Sequence, residues 1–347
     1  PELVRTELGR AVESRMVSDV PLGALLSGGI DSSIIVALMS RSAGRAGGVK
    51  TFTAGFNEAD FDERPAARAL AEHYKTEHTE LLVRPDPAGI VDRIVNMYDE
   101  PFADSSAMPT WLICRAAREH VTVALTGDGG DEAFGGYDRY RAVQIASRLG
   151  PVGYMFARLA GNIIKPFAPK RERSTMARFV RFTDSLPYPQ SEQYFMHRML
   201  FSHDELEILF SCDISEEYDL KEPNEWFCGL YEQSDYENEF SYAQMHDIST
   251  YLPDDLLVKT DIASMSSSLE LRSPMLSPTV IELGLSLPCD KKAGFRRGKL
   301  ILREAFKGII PDDILKKTKR GFGVPISKWL RDELRNEMCD VLLDESF

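Results

Sequence analysis

Short apolar runs alternate with helical patterns in the first part of the chain. Between Leu22 and about Tyr140, apolar runs predict strands at Leu22–Leu26, Val49–Ala54, Glu80–Val83 and Val121–Leu125. Between them, apolar residues at helical spacing predict helices at Ser32–Ser42, Arg64–Tyr74, Ala88–Met97 and Thr110–Glu119. Apolar strands that alternate with helices indicate a parallel sheet with helices on both faces. Ligands bind such a sheet beyond the carboxyl ends of its strands.

The pattern becomes mostly helical from about Arg141, and no clear strand is predicted beyond it. Helices are predicted there at Gln144–Leu159, Ser191–Phe201, Asp204–Phe210, Leu276–Leu287 and Lys299–Phe306. The predicted fold class is therefore α/β, with a core region at 1–140 and a mostly helical region at 141–347. Apolar residues from Leu3 to Val17 also recur at helical spacing, and a chain that begins directly in a helix is expected to be a fragment of a longer protein.

Composition narrows the classes of protein that the chain can belong to. A formal net charge of −13 argues against a broad basic surface for nucleic acid, and the short basic stretch 165–173 is expected to be a solvated loop. No apolar run approaches membrane-spanning length, so we expect no membrane partner. The five cysteines form neither a CxxC pair nor a Cys/His cluster, which argues against a zinc site or a disulfide framework and fits the cytoplasm.

The first chemical signal is the sequence LLSGGIDSS at residues 25–33, where a predicted strand runs into a glycine-containing loop and a helix follows at once. Gly28 and Gly29 let the backbone approach an anion closely. The amides and the dipole of the helix start favour that anion. We therefore predict a phosphate cradle, with hydroxyl donors on Ser27, Ser32 and Ser33.

Asp31 lies within this predicted cradle, where a carboxylate would repel a phosphate unless a cation lay between them. We predict that Asp31 binds Mg²⁺, which bridges to phosphate oxygens. An aspartate that caps the helix on a tight turn is the structural alternative. That alternative explains Asp31 alone and leaves the surrounding glycines and serines unexplained.

The second chemical signal is the sequence TGDGGDEAFGGY at residues 126–137, directly after the last predicted strand. Its three acids, Asp128, Asp131 and Glu132, stand beside the phosphate site if both loops leave the same edge of the sheet. Such a density of carboxylates again requires a cation, and Asp131 is the predicted second Mg²⁺ ligand. Asp128 and Glu132 could bind a substrate amine or orient a catalytic cation. A glycine-rich acidic turn open to solvent is the structural alternative.

These motifs resemble those of a known family. SGGIDSS is similar to the pyrophosphate loop of the N-type ATP pyrophosphatases, which cleave ATP between its α and β phosphates. TGDGGDEAFGGY resembles the signature of the asparagine synthetase branch of that family. Further similar segments are TFTAGFNEADFDE, DEPFADSSAMPT, SMSSSLELRSPML, KLILREAF and KTKRGFGVP, so that the resemblance runs from the first helix to about Trp329.

The resemblance implies ATP and Mg²⁺ as cofactors and carries roles to matching residues. Asp128 and Lys319 would be catalytic, with Lys319 neutralising charge on the α-phosphate. Glu132 would bind the substrate. The contacts to ATP and pyrophosphate would come from Leu25, Ser27, Gly28, Gly29, Asp31, Ser32, Ser33, Ala54, Thr126 and Gly127, with Ala54 at the adenine ring.

The reaction implied by the resemblance is adenylation of the side-chain carboxylate of aspartate, followed by amide formation with ammonia and release of AMP and pyrophosphate. Three positions depart from the family pattern: Asp128 stands where Glu is frequent, Ile262 where Arg or Lys is usual, and Ser277 where Asp is usual. These departures leave open a related amidotransferase or lactam-forming synthetase that acts on another carboxylate. A regulatory nucleotide-binding domain without turnover is the alternative from another class, and the complete SGGIDSS loop argues against it.

The resemblance also bears on partners. The family's N-terminal glutaminase domain, with its terminal cysteine nucleophile, is not part of this sequence. We expect that domain in a full-length protein or in trans, with free ammonia as the nitrogen source for this chain. A homodimer is left open as the state of assembly.

Overall fold

Five parallel strands form the central sheet of the protein. A computed structural model describes residues 1–42, 44, 48–59, 61–83, 87–168, 174–210, 218–232, 236, 238–317, 323, 326–332 and 334–343, with the backbone alone at 87–91, 326, 327 and 337. The strands are β1 Leu22–Leu25, β2 Lys50–Gly55, β3 Glu77–Leu82, β4 Val123–Leu125 and β5 Glu270–Arg272. Their order across the sheet is β3-β2-β1-β4-β5, and every neighbouring pair is parallel.

Helices make up most of the remaining described chain. The first group is α1 Glu2–Arg15, α2 Ile30–Ser42, α3 Arg64–Tyr74, α4 Pro87–Tyr98, α5 Ala107–Arg118 and α6 Gly130–Phe134. The second group is α7 Asp138–Arg148, α8 Pro151–Ile164, α9 Thr175–Ser185, α10 Gln190–Met196, α11 His203–Leu209, α12 Glu222–Glu232 and α13 Glu239–Ser249. The third group is α14 Val258–Met265, α15 Pro278–Ser286, α16 Cys289–Lys292, α17 Leu300–Ala305, α18 Asp312–Lys316, α19 Ile326–Trp329 and α20 Arg335–Leu342.

Three short helical turns complete the described secondary structure. They are the 3₁₀ turns Lys165–Phe167 and Pro274–Leu276 and the π-helical turn Leu252–Leu257. No helix in the described ranges is both long and apolar enough to cross a membrane.

Helices cover both faces of the sheet. Successive strand residues point to opposite faces, so neighbouring residues of one strand join different apolar clusters. Leu125 joins an apolar cluster that includes residues of α1, α2, α3 and α17, among them Leu8 and Ile34. The preceding residue, Ala124, joins a second cluster that includes Trp111 of α5 and residues of α14. The predicted α/β fold class, a parallel sheet with helices on both faces and a mostly helical continuation, is therefore confirmed.

The structure corrects the predicted elements at two places. The predicted helix Gln144–Leu159 is two helices, α7 and α8, because Pro151 lacks the amide that a continuing helix needs and instead starts a new one. The expectation of no strand after Arg141 is wrong, since Glu270–Arg272 pairs with β4 as an edge strand. A three-residue strand with two charged side chains carries no apolar run that could have predicted it.

The chain forms two compact units. The first contains Pro1–Phe134, Thr250–Leu287 and Lys299–Phe347, and the second contains Gly135–Ser249 and Pro288–Gly298. The first unit therefore includes the whole sheet and late segments of the chain. The change in sequence pattern at about Arg141 predicts a core region at 1–140 and a helical region at 141–347. The functional roles of these two regions stay a prediction.

The second unit buries a charge network among aromatic side chains. Asp247 is fully buried and accepts hydrogen bonds from Arg139 and Arg198, each at 2.6 Å, and from the hydroxyl of Tyr140 at 2.7 Å. Burial opposes the ionisation of Asp247, yet the two arginines hold its pKa below the usual value. Removing one partner from such a buried network costs about 3–5 kcal/mol.

Candidate active site

The two glycine-rich loops leave the same edge of the sheet from neighbouring strands. One follows β1 and the other follows β4, and these strands pair in parallel with Ala24 opposite Leu125. Strands β2 and β3 lie on one side of β1, and strands β4 and β5, which follow later in the chain, lie on its other side. A ligand crevice forms at this point of an open α/β sheet, because the connections on its two sides diverge.

The first loop is a tight turn whose conformation depends on glycine. Gly28 has a φ of +72°, and a Cβ at this position would lie 2.7 Å from the Cβ of Ala66. The hydroxyls of Ser27 and Ser32 are 3.0 Å apart, and the amide of Gly29 donates to Ser27 Oγ at 3.2 Å. The amide and hydroxyl groups of the turn are thus gathered at the start of α2, where the helix dipole favours an anion.

Asp31 is the residue through which the two loops touch. A Cβ added to Gly127 would lie 2.8 Å from the Cβ of Asp31, and one added to Gly130 would lie 2.7 Å from Asp31 Oδ1. The second loop can approach this closely only because these two positions lack side chains. Asp131 follows directly in α6, where it is 7% exposed.

The ammonium group of Lys299 joins the carboxylates of the two loops. Its Nζ donates to Asp31 Oδ2 and lies 2.7 Å from Asp131 Oδ1. Lys299 is 3% exposed, and it precedes α17 in the left-handed conformation with a φ of 55°. A buried ammonium is costly unless it is paired, so the two carboxylates compensate it and it compensates them.

Sequence reasoning gave Lys299 no role. The segment KLILREAF was recognised as similar to the family, but a lysine before an apolar helix ordinarily lies in solvent. The predicted helix began at Lys299 itself, so its position before α17 and its left-handed conformation are known only from the structure.

The pair Asp31 and Asp131 fits a magnesium ion bound together with a nucleotide. Lys299 shows that one cationic group can lie within contact distance of both carboxylates. Among the described residues no group of three or more His, Cys, Asp or Glu side chains could hold a metal. Mg²⁺ typically takes one or two protein carboxylates and completes its shell with substrate phosphates and water. Two carboxylates beside the predicted phosphate-binding turn match this type of Mg²⁺ coordination.

Other predicted residues lie along the same edge. Asp128 accepts a hydrogen bond from the hydroxyl of Thr126 at 2.9 Å, and its backbone oxygen accepts one from Ser273. Glu132 is in α6 and is 2% exposed. Ala54 is near the carboxyl end of β2, where it pairs with Leu81.

Two further predicted residues complete the set. Leu25 is the last residue of β1, opposite Phe52 of β2. Lys319 lies outside the described residues.

A second ion pair, which is only partly buried, is present in the same unit. Lys259 donates to Asp104 at 2.8 Å and to the hydroxyl of Ser106 at 2.9 Å. Burial opposes the ionisation of Asp104, but the Lys259 ammonium and Ser106 hold its pKa below the usual value. The cation of Lys259, which sequence reasoning left unassigned, is thus engaged in a structural pair.

Cys114, which is fully buried, does not have the properties of a nucleophile. Burial raises the pKa of its thiol to about 12, and the nearby charge of Asp128 adds to the shift. The thiol therefore stays protonated at neutral pH and lacks the thiolate that acyl transfer needs. The four cysteines within the described residues are free of disulfides.

The strand order and the contact between the two loops define an α/β protein whose two glycine-rich loops meet where the strand order reverses. A family model described as asparagine synthase matches residues 3–347, and the chain belongs to that family. It is 32% identical over 355 residues to asparagine synthetase [glutamine-hydrolyzing] 1 of Bacillus subtilis, covering 99% of this chain and 52% of the relative.

Two further relatives show the range of the similarity. A putative asparagine synthetase [glutamine-hydrolyzing] of Mycobacterium bovis is 36% identical over 329 residues, which cover 92% of this chain and 47% of the relative. The protein named amidase chry2 of Gibberella zeae is 25% identical over 370 residues, which cover 98% of this chain and 54% of the relative. The chain thus spans about half the length of these relatives.

Proposed function

We propose that this chain carries the synthetase activity of a glutamine-dependent asparagine synthetase. It adenylates the side-chain carboxylate of aspartate with ATP, releases pyrophosphate, and passes the acyl group to ammonia. The observation that carries the proposal is the meeting of Asp31 and Asp131 around one cationic group at the start of α2. Membership of the asparagine synthase family supports the choice of reaction.

The first loop is proposed to hold the pyrophosphate part of ATP. The amide and hydroxyl groups of Ser27, Gly29 and Ser32 bond to one another at 3.0–3.2 Å, and phosphate oxygens can take over these bonds. Asp31 and Asp131 would hold Mg²⁺, which supplies charge neutralisation at the phosphates. The ammonium of Lys299 adds positive charge at the same place, so that the site stabilises a polyanionic leaving group.

The second loop and the late lysine are proposed to serve the acyl group. The hydroxyl of Thr126 donates a hydrogen bond to the carboxylate of Asp128, and we assign that carboxylate to the attacking ammonia or to the substrate amine. Glu132 is proposed to contribute to the substrate site. Lys319 is proposed to neutralise the α-phosphate while the acyl adenylate forms and breaks.

The source of ammonia and the place of the reaction complete the proposal. The relatives named as glutamine-hydrolysing are about twice as long as this chain, and we infer that a glutaminase domain supplies ammonia from the same full-length protein or in trans. We place the reaction in the cytoplasm, where ATP and aspartate are available.

The proposal is tested by measuring pyrophosphate release from ATP by the purified chain. Release should require both aspartate and Mg²⁺, and asparagine should form when ammonia is added. Glutamine in place of ammonia should give no asparagine, because the chain has no recognised glutaminase site. If pyrophosphate is released with another carboxylate and not with aspartate, that carboxylate is the substrate in place of aspartate. If no carboxylate gives pyrophosphate release, the proposed synthetase activity is refuted.

A further inference from the structure

The ammonium of Lys299 contacts the same two carboxylates that are proposed to hold Mg²⁺. We call Asp31 and Asp131 the carboxylate pair. The Lys299 Nζ lies 2.7 Å from Asp131 Oδ1 and donates to Asp31 Oδ2, and the lysine side chain is only 4% exposed. One ammonium and one metal ion are thus assigned to the same place, and the inference that follows rests on the proposed role of the pair as metal ligands.

Close packing of the two loops limits the space between the carboxylates. A Cβ at Gly127 would lie 2.8 Å from the Cβ of Asp31, and one at Gly130 would lie 2.7 Å from Asp31 Oδ1. Asp31 is in the first turn of α2 and Asp131 is in the first turn of α6, so that helical backbone fixes the start of both side chains. A metal ion held by the pair therefore lies close to the oxygens that the ammonium contacts.

A metal ion and the ammonium oppose each other at such a site. Mg²⁺ binds carboxylate oxygens at about 2.1 Å. An ion that shares Asp131 Oδ1 with the Lys299 Nζ, which is 2.7 Å from that oxygen, lies within about 5 Å of the Nζ. At that separation, and with most water excluded, a divalent cation and an ammonium repel each other strongly. Free metal must therefore displace the ammonium before it can bind tightly.

The backbone of Lys299 is fixed, so that only its side chain can make way. The amide of Arg303 donates to the carbonyl of Lys299 at 3.0 Å. In the same helix, α17, Ile301 and Leu302 are buried in the apolar cluster that contains Ile34 of α2. An ammonium displaced from the carboxylates stays near the start of α2, where it needs another anion because an unpaired buried charge is costly. Its flexible stem allows it to turn to such an anion.

We propose that Lys299 excludes free divalent metal from the carboxylate pair, so that the metal enters only together with the triphosphate of ATP. Phosphate oxygens at the first loop are the anion to which the ammonium can turn. Free Mg²⁺ brings positive charge alone, whereas its complex with ATP also brings the negative charge that a second cation needs. Lys299 thereby keeps the pair neutralised until nucleotide binds, and it makes the pair selective for the metal–nucleotide complex.

The test is Mn²⁺ binding to the nucleotide-free protein, followed by electron paramagnetic resonance of the unbound ion. The unmodified protein should bind Mn²⁺ weakly, and Lys299→Met should raise the affinity by at least about tenfold, because the repelling charge is gone. The double variant Lys299→Met/Asp131→Asn should lose this gain, which assigns the added ion to the pair. Lys299→Gln should behave as Lys299→Met does, and it replaces that variant if circular dichroism shows the methionine variant to be unfolded.

The matched control is Lys328→Met, which removes a lysine from an exposed ion pair with Glu58 and should leave Mn²⁺ affinity unchanged. Three results would each overturn the proposal: unmodified protein that binds free Mn²⁺ as tightly as the Lys299 variants, a gain that persists without Asp131, or the same gain in the control. The measurement needs neither nucleotide nor turnover. A failure of pyrophosphate release would refute the synthetase activity, whereas the absence of a gain in Mn²⁺ affinity would refute metal exclusion even in an active enzyme.

Discussion

The stability of the metal-free protein should depend on Lys299. Replacing Lys299 with methionine keeps the apolar length of the side chain and removes the ammonium that joins Asp31 to Asp131. The carboxylate of Asp131, on a residue only 7% exposed, would then face a second carboxylate without that cation. Breaking a buried ion pair by removing one partner costs about 3–5 kcal/mol. For a protein of this size that corresponds to a fall in melting temperature on the order of 5 °C.

The assay is thermal unfolding in EDTA and in Mg²⁺, followed by circular dichroism. Lys328→Met is the matched control, since Lys328 forms a 2.8 Å pair with Glu58 but its side chain is 50% exposed. Exposed pairs contribute about 0–1 kcal/mol, so that the control should change little. Mg²⁺ should restore the Lys299→Met variant more than it stabilises the unmodified protein, because only the variant lacks a cation at the pair. Equal losses in the two variants, or equal gains with Mg²⁺, would refute the reasoning.

Three further predictions concern the two loops, the late lysine and the second unit. Asp31→Asn and Asp131→Asn should each abolish pyrophosphate release while circular dichroism stays unchanged, because each removes a carboxylate that Mg²⁺ needs. Lys319→Ala should lower turnover by about 10²–10³ with a smaller effect on ATP affinity, whereas Lys316→Ala, at an exposed position, should change neither. Asp247 has a depressed pKa in the folded protein, so the stability it contributes is present above its unfolded pKa of about 3.9 and is lost as pH falls through the lower folded value. Asp247→Asn should therefore lower stability by about 3–5 kcal/mol at neutral pH and flatten the acid limb of a stability profile.

The sheet was predictable from sequence where its strands are buried on both sides. β1 and β2 are apolar runs bounded by loop residues, and α3 was predicted with the bounds that the structure shows. β5 was not predictable, since an edge strand of three residues gains its conformation from pairing with β4. The division of one predicted helix into α7 and α8 was signalled by Gly150 and Pro151, but the apolar spacing on both sides concealed it.

In the candidate site, short sequence motifs identified the two glycine-rich loops but not the lysine that contacts them. Asp31 and Asp131 were singled out because glycine and acid densities are read directly from the sequence, and parallel strands then bring the two loops to one edge. Lys299 is 268 residues away from Asp31 and follows a different element, so no local pattern links them. The carboxylates of the two loops require a cation between them, and the prediction from sequence gave that charge wholly to a metal. Two neighbouring carboxylates require a positive charge, but they do not determine which group supplies it. A lysine that the fold brings to the site can supply this charge together with Mg²⁺ or before Mg²⁺ binds.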